Sequence, residues 1–316
     1  MTVPLPGDRE NEEECSPLSS IDNVKSALRD VGYFAERRLA TAVFLAANLR
    51  RPLLLEGAPG VGKTELAKSL AAALGRRLIR LQCYEGLEQR QAAYEWNYSA
   101  QLLHARAMEA TGGSIADVEK SFYDPRFLLE RPLLQTLRAQ PPGAVLLIDE
   151  VDRADEPFEA FLLEYLGEYQ LTIPEFGVVS AAIAPITILT GNRTRDLGDA
   201  LKRRCLYQWI EFPPYEQEVE IILSRALSVK EGLARQVARF VSLLRARGED
   251  IDFNRLPGVA EAVEWAQSLH LMGIEKLSAA AVADTSGVLF KDPHDIAALS
   301  TNQVETLIRE TESTGV

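Results

Sequence analysis

Residues 57–64 carry the spacing with the clearest chemical meaning: Gly57, then Gly60 and Gly62, then Lys63 and Thr64, the pattern GxxxxGK[ST]. Glycines at this spacing let backbone N–H groups point inward at phosphate oxygens, a lysine reaches the outer phosphates, and a hydroxyl at the next position can meet a divalent cation. An apolar run, residues 53–55, precedes the pattern and an Ala- and Leu-rich segment follows it at once. This order predicts strand, phosphate loop and helix, with the positive end of the helix dipole at Thr64 added to the loop's amides. The expected phosphate-binding set is Gly57, Ala58, Pro59, Gly60, Val61, Gly62, Lys63, Thr64 and Glu65.

A second constellation lies downstream. Residues 144–148 form a continuous apolar run that ends in Asp149 and Glu150. Strands buried on both faces read as uniformly apolar, and in open parallel sheets ligands gather at the carboxyl ends. Phosphoryl transfer to water needs a metal at the outer phosphates, a positioned water and positive charge near the leaving group. Thr64 and Asp149 are the expected Mg²⁺ residues, Asp149 through water, because Mg²⁺ keeps several waters in such sites. Glu150 is the expected activator of water, although an acidic pair is also an ordinary polar strand end. Asn192 closes another apolar run, residues 186–190, where its amide could reach the water or the outer phosphate. An asparagine after Gly191 is equally an ordinary turn residue. Lys202, Arg203 and Arg204 stand where a helix should end; they could complement its dipole, or Arg204 could reach into the site of an adjacent subunit, a task suited to a guanidinium.

The elements that must position these residues can be read from the rest of the chain. Its 316 residues suffice for two domains, and 47% hydrophobic with 25% charged residues is ordinary for a globular protein. The net charge of −12 argues against broad nucleic-acid binding. No apolar stretch approaches a membrane span, since the longest candidate, residues 178–189, is broken by Pro185. With no secretory signal pattern and three scattered cysteines, Cys15, Cys83 and Cys205, a cytoplasmic, reducing setting is expected and inert thiols with it. Residues 1–20, with Asp8, Glu10, Glu12, Glu13 and Glu14, read as a solvated acidic tail.

Helical spacing appears in Ile21, Val24 and Leu28 and in Leu39, Ala42, Val43 and Ala46. The loop helix is expected over 63–74, stopped by Gly75, and a second strand over 78–83. Arg76, Arg77 and Arg80 read as a solvated helix end and strand edge. The stretch 84–140 is too long for a simple crossover and contains helices near 99–110 and 132–139, with a break at Gly112 and Gly113. A helix over 157–169 precedes a hairpin over 170–182, and a fifth core strand follows at 206–210. Pro213 and Pro214 mark a boundary, beyond which apolar residues recur only at helical spacing. A nucleotide-binding α/β domain over 21–213 and a helical domain over 214–316 are expected. His104, His270 and His294 are scattered and take no ligand role, and Trp96, Trp209 and Trp265 read as core or interface anchors.

Taken in order, the loop from Gly57 to Thr64, the pair Asp149 and Glu150, Asn192, and Arg204 before Cys205 resemble an AAA+ ATPase. The resemblance implies a five-stranded parallel sheet in the order 5-1-4-3-2, an adenine pocket lined by Val31 and Gly32 in the segment Val31-Gly32-Tyr33, ATP and Mg²⁺ as cofactors, and a ring oligomer, as a hexamer, in which Arg204 is the finger. The long segment after the second strand and the hairpin at 170–182 resemble the helix-2 and pre-sensor-1 insertions of the MoxR branch. Three longer runs, Leu78-Ile79-Arg80-Leu81-Gln82-Cys83-Tyr84-Glu85-Gly86-Leu87, Tyr94-Glu95-Trp96 and Leu201-Lys202-Arg203-Arg204-Cys205-Leu206-Tyr207, are similar to the CoxD-like group within it. That likeness implies a chaperone for a protein client, a molybdenum hydroxylase such as aerobic carbon monoxide dehydrogenase, and a partner with a von Willebrand factor A domain. Alternatives are an ATP-gated binding scaffold with little turnover and a nucleic-acid motor similar to clamp loaders. One departure stands out: family members place a sensor arginine at the start of a lid helix, whereas this chain has Asn254-Arg255-Leu256-Pro257-Gly258, with glycine at that position and Arg255 as a substitute or as surface charge.

Overall fold

A computed structural model describes residues 16–111, 121–174 and 176–313. The acidic run from Asp8 to Glu14, Cys15, the Gly112 and Gly113 break and Glu175 in the hairpin lie outside the described residues. The chain divides into two compact units, the first comprising Met1–Ala27, Glu36–Glu56 and Thr64–Trp209, the second Leu28–Ala35, Gly57–Lys63 and Ile210–Val316.

Two helices, α1 (Ile21–Asp30) and α2 (Arg37–Leu49), lead to the first core strand. α2 buries Leu39, Ala40, Val43 and Ala46, and stops where Arg50 turns left-handed (φ 53°) and returns its N–H to the Ala46 and Ala47 carbonyls. The core sheet comprises β1 (Leu53–Gly57), β2 (Arg77–Gln82), β5 (Ala144–Asp149), β8 (Ile186–Gly191) and β9 (Leu206–Ile210) in the order β2-β5-β8-β1-β9. Counting these five strands along the chain gives 5-1-4-3-2, the expected order. The β1–β8, β2–β5 and β5–β8 pairs are parallel, with Leu55 beside Thr190 and Gln82 beside Asp149. β1, β5 and β8 are buried at every position, the pattern of strands covered on both faces. The edge strand β2 begins at Arg77, one residue before the expected start, and alternates in exposure. The loop helix α3 (Lys63–Ala73) follows β1.

Between β2 and β5 the chain forms α4 (Gln89–Ala92), β3 (Tyr94–Trp96), α5 (Tyr98–Ala110), β4 (Leu128–Glu130) and α6 (Pro132–Leu137). β3 and β4 pair as an antiparallel ribbon that the sequence reading did not anticipate, because three-residue strands show no usable periodicity. α7 (Glu156–Glu168) is capped by Asp155, whose carboxylate accepts from the Phe158 N–H at 2.9 Å. The hairpin β6 (Gln170–Ile173) and β7 (Gly177–Ser180) forms as expected, with Leu171 opposite Val179. The short helix α8 (Asp199–Arg204) precedes β9.

The C-terminal helices are α9 (Tyr215–Arg225), α10 (Glu231–Ala246), α11 (Gly248–Ile251), α12 (Val259–Leu271), α13 (Ala279–Leu289), α14 (Pro293–Ala298) and α15 (Thr301–Ser313). α10 turns Leu233, Val237, Phe240, Val241 and Leu244 into a core shared with Trp265 of α12 and Leu289 of α13. Trp265 is fully buried; its indole N–H donates to Thr285 Oγ1 at 2.7 Å and its ring meets Phe240 at 5.3 Å between centroids.

Candidate functional site

The acidic pair is assembled at the carboxyl ends of the sheet. Asp149 is buried, and its Oδ1 accepts the Thr64 hydroxyl at 3.0 Å and the Thr190 hydroxyl at 2.5 Å. Its Oδ2 accepts Arg80 Nε at 3.0 Å and Nη2 at 2.5 Å. Arg80 is exposed on the edge strand, as expected, and it also reaches across to β5, because the parallel pairing sets Gln82 beside Asp149 and leaves Arg80 two residues back on the same face. Glu150 adopts a left-handed conformation (φ 54°, ψ 49°), uncommon for a residue with a side chain. Its N–H donates to Thr190 Oγ1 at 2.9 Å, and its Oε2 accepts Gln82 Nε2 and Arg153 Nη1, both at 3.0 Å. Thr190 thus holds both acids, donating a hydrogen bond to the Asp149 carboxylate and accepting one from the Glu150 N–H.

Asn192 is half-buried one residue beyond β8. The turn that carries it hangs on buried Asp152, whose Oδ2 accepts the Asn192 N–H at 3.1 Å, the Thr194 N–H at 2.8 Å and the Thr194 hydroxyl at 2.7 Å. Cys83 follows β2 beside this acidic ground. Its N–H donates to the Asp149 carbonyl at 2.8 Å, and burial, then the charges of Asp149, Asp152 and Glu150, push its thiol up to about 12. It is a protonated apolar neighbour at neutral pH.

Arg203 and Arg204 are exposed at the end of α8. Arg51 ties that helix end, donating to the Arg203 carbonyl at 2.7 Å, the Arg204 carbonyl at 3.2 Å and the Cys205 carbonyl at 3.3 Å. The segment before α8 is fixed by buried Glu159, which accepts the Gly198 N–H at 2.9 Å and pairs with Arg195. The Arg204 guanidinium lies against Gly167 of α7, where a Cβ would collide with Nη1.

The loop Gly57–Lys63 belongs to the second unit. Lys63 is buried, with its ammonium donating to the Gly57 carbonyl at 2.7 Å and the Ala58 carbonyl at 2.9 Å. Its backbone continues directly into Thr64. Tyr33 packs at the loop, 3.9 Å from where a Cβ of Gly62 would stand. Gly32 faces Ser224 and Arg225 at the end of α9, and Phe34 is tied to α9 by a hydrogen bond from Gln217 to its carbonyl. Val31 is half-buried in the same segment. Glu65, in the first turn of α3, pairs with Lys68 at 3.2 Å.

One observation tests whether Mg²⁺ bound to a nucleoside triphosphate fits these residues. A hydroxyl and a carboxylate oxygen, 3.0 Å apart, stand at the start of the helix after the phosphate loop, which is the donor set a phosphate-bound Mg²⁺ uses. The residues fit.

Residues 52–205 match the family model of the AAA domain, dynein-related subfamily. That segment of the chain is thus similar to an AAA domain. Among curated proteins, a peroxisomal Lon protease homolog 2 from Pichia angusta is 32% identical over 60% of this chain and 18% of its own length. The Holliday junction branch migration complex subunit RuvB from Thermobifida fusca is 26% identical over 78% of this chain and 64% of its own. The chain thus spans less than two thirds of either relative. Among solved structures, one from Cytophaga hutchinsonii aligns over 96% of this chain and 97% of that one with 14% identity and a TM-score of 0.47. The AAA domain match begins one residue before β1 and ends one residue after α8, so it takes in the phosphate loop, the acidic pair and Asn192. Sequence reasoning missed Thr190, Arg80, Gln82 and Asp152. For Thr190 and Gln82 the available signal was a polar residue near a strand's end; Arg80 and Asp152 carried none.

Proposed function

We propose that the chain hydrolyses ATP, with Lys63 and the loop amides of residues 57–62 on the phosphates and Thr64 and Asp149 as the residues that hold Mg²⁺. The reading rests above all on the 3.0 Å approach of the Thr64 hydroxyl to Asp149 Oδ1, with Glu150 next in the chain. Held by Thr64 and Asp149, Mg²⁺ would supply neutralisation of phosphate charge. Glu150 accepts the proton of the attacking water through Oε1, since Oε2 is taken by Gln82 and Arg153. Asn192 orients that water from the turn held by Asp152. Thr190 keeps Asp149 and Glu150 in register with one another. Val31 and Gly32 line the adenine side of the loop, and Arg204 acts across a subunit boundary in a ring, which makes assembly part of the activity.

Within this reading the chain is a MoxR-type remodeller of the CoxD-like group, and its client is a molybdenum hydroxylase. The support is the likeness of residues 78–87, 94–96 and 201–207, together with the insertion between β2 and β5 and the hairpin β6–β7. A partner with a von Willebrand factor A domain belongs to the same proposal. The decisive experiment pairs Lys63→Ala, expected to lose nucleotide binding, with Glu150→Gln, expected to bind ATP and lose phosphate release. Unchanged hydrolysis by Glu150→Gln removes Glu150 from the mechanism. The likeness to RuvB favours one other reading, a nucleic-acid motor, and stimulation of phosphate release by DNA would support it; the net charge of −12 weighs against it.

A further inference from the structure

Within the second unit, the start of α12 is stitched to the phosphate loop by backbone alone. The Val259 N–H donates to the Gly60 carbonyl at 2.9 Å, and the Cα of Gly258 stands 2.7 Å from where a Cβ of Gly60 would be. Neither glycine can carry a side chain without moving the other. The segment that presents Gly258 is rigidly held. Buried Asp295 accepts the N–H of Asn254 at 2.7 Å and of Arg255 at 3.2 Å, and Arg245 Nε donates to the Pro257 carbonyl at 2.8 Å. Arg245 is itself fixed by two 2.8 Å bonds to buried Glu218 and by the Phe212 ring, 4.1 Å from its Cζ.

One turn into α12 this scaffold aims a carboxylate at the loop. Glu261 Oε2 is buried, has no hydrogen-bond partner among the described residues, and lies 3.4 Å from the Cβ position of Gly60 and 2.6 Å from that of Gly258. The other oxygen, Oε1, faces Arg255 Nη2 at 3.8 Å, a long contact to a half-exposed side chain. A buried carboxylate oxygen without a donor is costly, and here it stands against a loop that gathers negative phosphates. The loop amides and Lys63 attract phosphate charge; Glu261 opposes it at short range in a weakly screened setting, and Arg255 offsets Glu261 only in part.

We infer that Glu261, with Arg255 as its counter-ion, is a specificity-determining pair that grades nucleotides by phosphate charge and limits the loop's preference for triphosphate over diphosphate. The inference rests on the nucleotide reading of the loop. Repulsion grows with the charge of the ligand, so Glu261 weakens a triphosphate more than a diphosphate, and losing Arg255 deepens that bias.

The test is equilibrium binding of Mg²⁺–AMPPNP and Mg²⁺–ADP to the full chain by calorimetry, with the ratio of the two Kd values as the readout. Glu261→Gln should tighten AMPPNP about fivefold to tenfold and ADP by less, raising the preference for triphosphate. Arg255→Gln should lower it by a similar factor, the double variant should return toward the Glu261→Gln value, and the shifts should shrink in 1 M NaCl. Glu261→Asp, which keeps the charge, should retain most of the wild-type ratio. Equal changes for both nucleotides would mean a distorted loop and would overturn the inference, as would ratios within twofold of wild type in both single variants while wild type binds and Lys63→Ala does not. Absence of any Lys63-dependent binding by wild type would instead overturn the nucleotide reading itself, and the inference with it.

Discussion

Replacing Thr190 by valine removes one hydroxyl and almost no volume, and so isolates the polar link between the two acids. The Thr190 Oγ1 gives a 2.5 Å hydrogen bond to Asp149 Oδ1 and accepts the Glu150 N–H at 2.9 Å. Thr190 and Asp149 are both buried, so the side chain of valine leaves their polar groups poorly compensated. A hydrogen bond to a charged acceptor contributes about 1.5–3 kcal/mol, and a neutral one about 0.5–1.5 kcal/mol. Asp149 keeps Thr64 on the same oxygen and Arg80 on the other, which lowers its share of the loss. A stability decrease of about 2–3 kcal/mol is expected from the two bonds together.

The catalytic consequence is separable. Glu150 sits at φ 54°, a conformation that costs on the order of 1–3 kcal/mol for a residue with a side chain and persists only where the surroundings impose it. Its N–H bond to Thr190 is such a restraint. If about 2 kcal/mol of positioning is lost, kcat for ATP falls roughly 30-fold, while nucleotide affinity, set by the loop, stays within about threefold of wild type. Urea denaturation and steady-state phosphate release measure the two effects on the same protein. Thr190→Ser, which restores the hydroxyl, should recover most of the turnover. A Thr190→Val protein that is folded and hydrolyses ATP at the wild-type kcat would refute the claim that this hydroxyl positions Glu150.

Three other outcomes follow from named contacts. Gly167→Ala places a methyl against Arg204 Nη1 and should displace that guanidinium; phosphate release at assembling concentrations should fall at least about fivefold, with nucleotide Kd unchanged, and an unaffected rate would detach Arg204's resting place on α7 from its function. Arg51→Met removes three hydrogen bonds to the end of α8 and should cost about 1–3 kcal/mol in denaturant titration. Burial pushes Cys83 and Cys205 up to about 12 from 9.0, so the native state keeps protons that the unfolded chain gives up; stability is full below about pH 9 and declines as pH rises toward 12. Iodoacetamide at pH 8.5 should leave both thiols unlabelled until the protein is unfolded, and rapid native labelling of either would contradict their burial.

What was legible in the sequence was whatever one short stretch fixes alone. The glycine spacing before Lys63 needs no tertiary information, nor does an apolar run that ends in Asp149 and Glu150 at the carboxyl end of β5. Arg80 is exposed on the edge strand as its sequence context suggests, but its pairing with Asp149 was not legible because that partner is 69 residues away in sequence. On an edge strand with alternating exposure an arginine reads as solvated, and only the parallel register of β2 with β5 turns it onto Asp149. Thr190 was invisible for a related reason: a threonine closing an apolar strand satisfies any β propensity, and its two bonds depend on which strand lies next to β8. Asp152 reads as a surface acid two residues past Glu150, yet it is buried and holds the turn that carries Asn192. Each miss is a polar side chain whose partner lies on a different strand or loop. Local spacing therefore names the groups that could meet phosphate and metal, while strand order selects those that hold them in place. Variants of Thr190 and Asp152 should accordingly lower turnover while leaving the glycine loop and its affinity for phosphate intact.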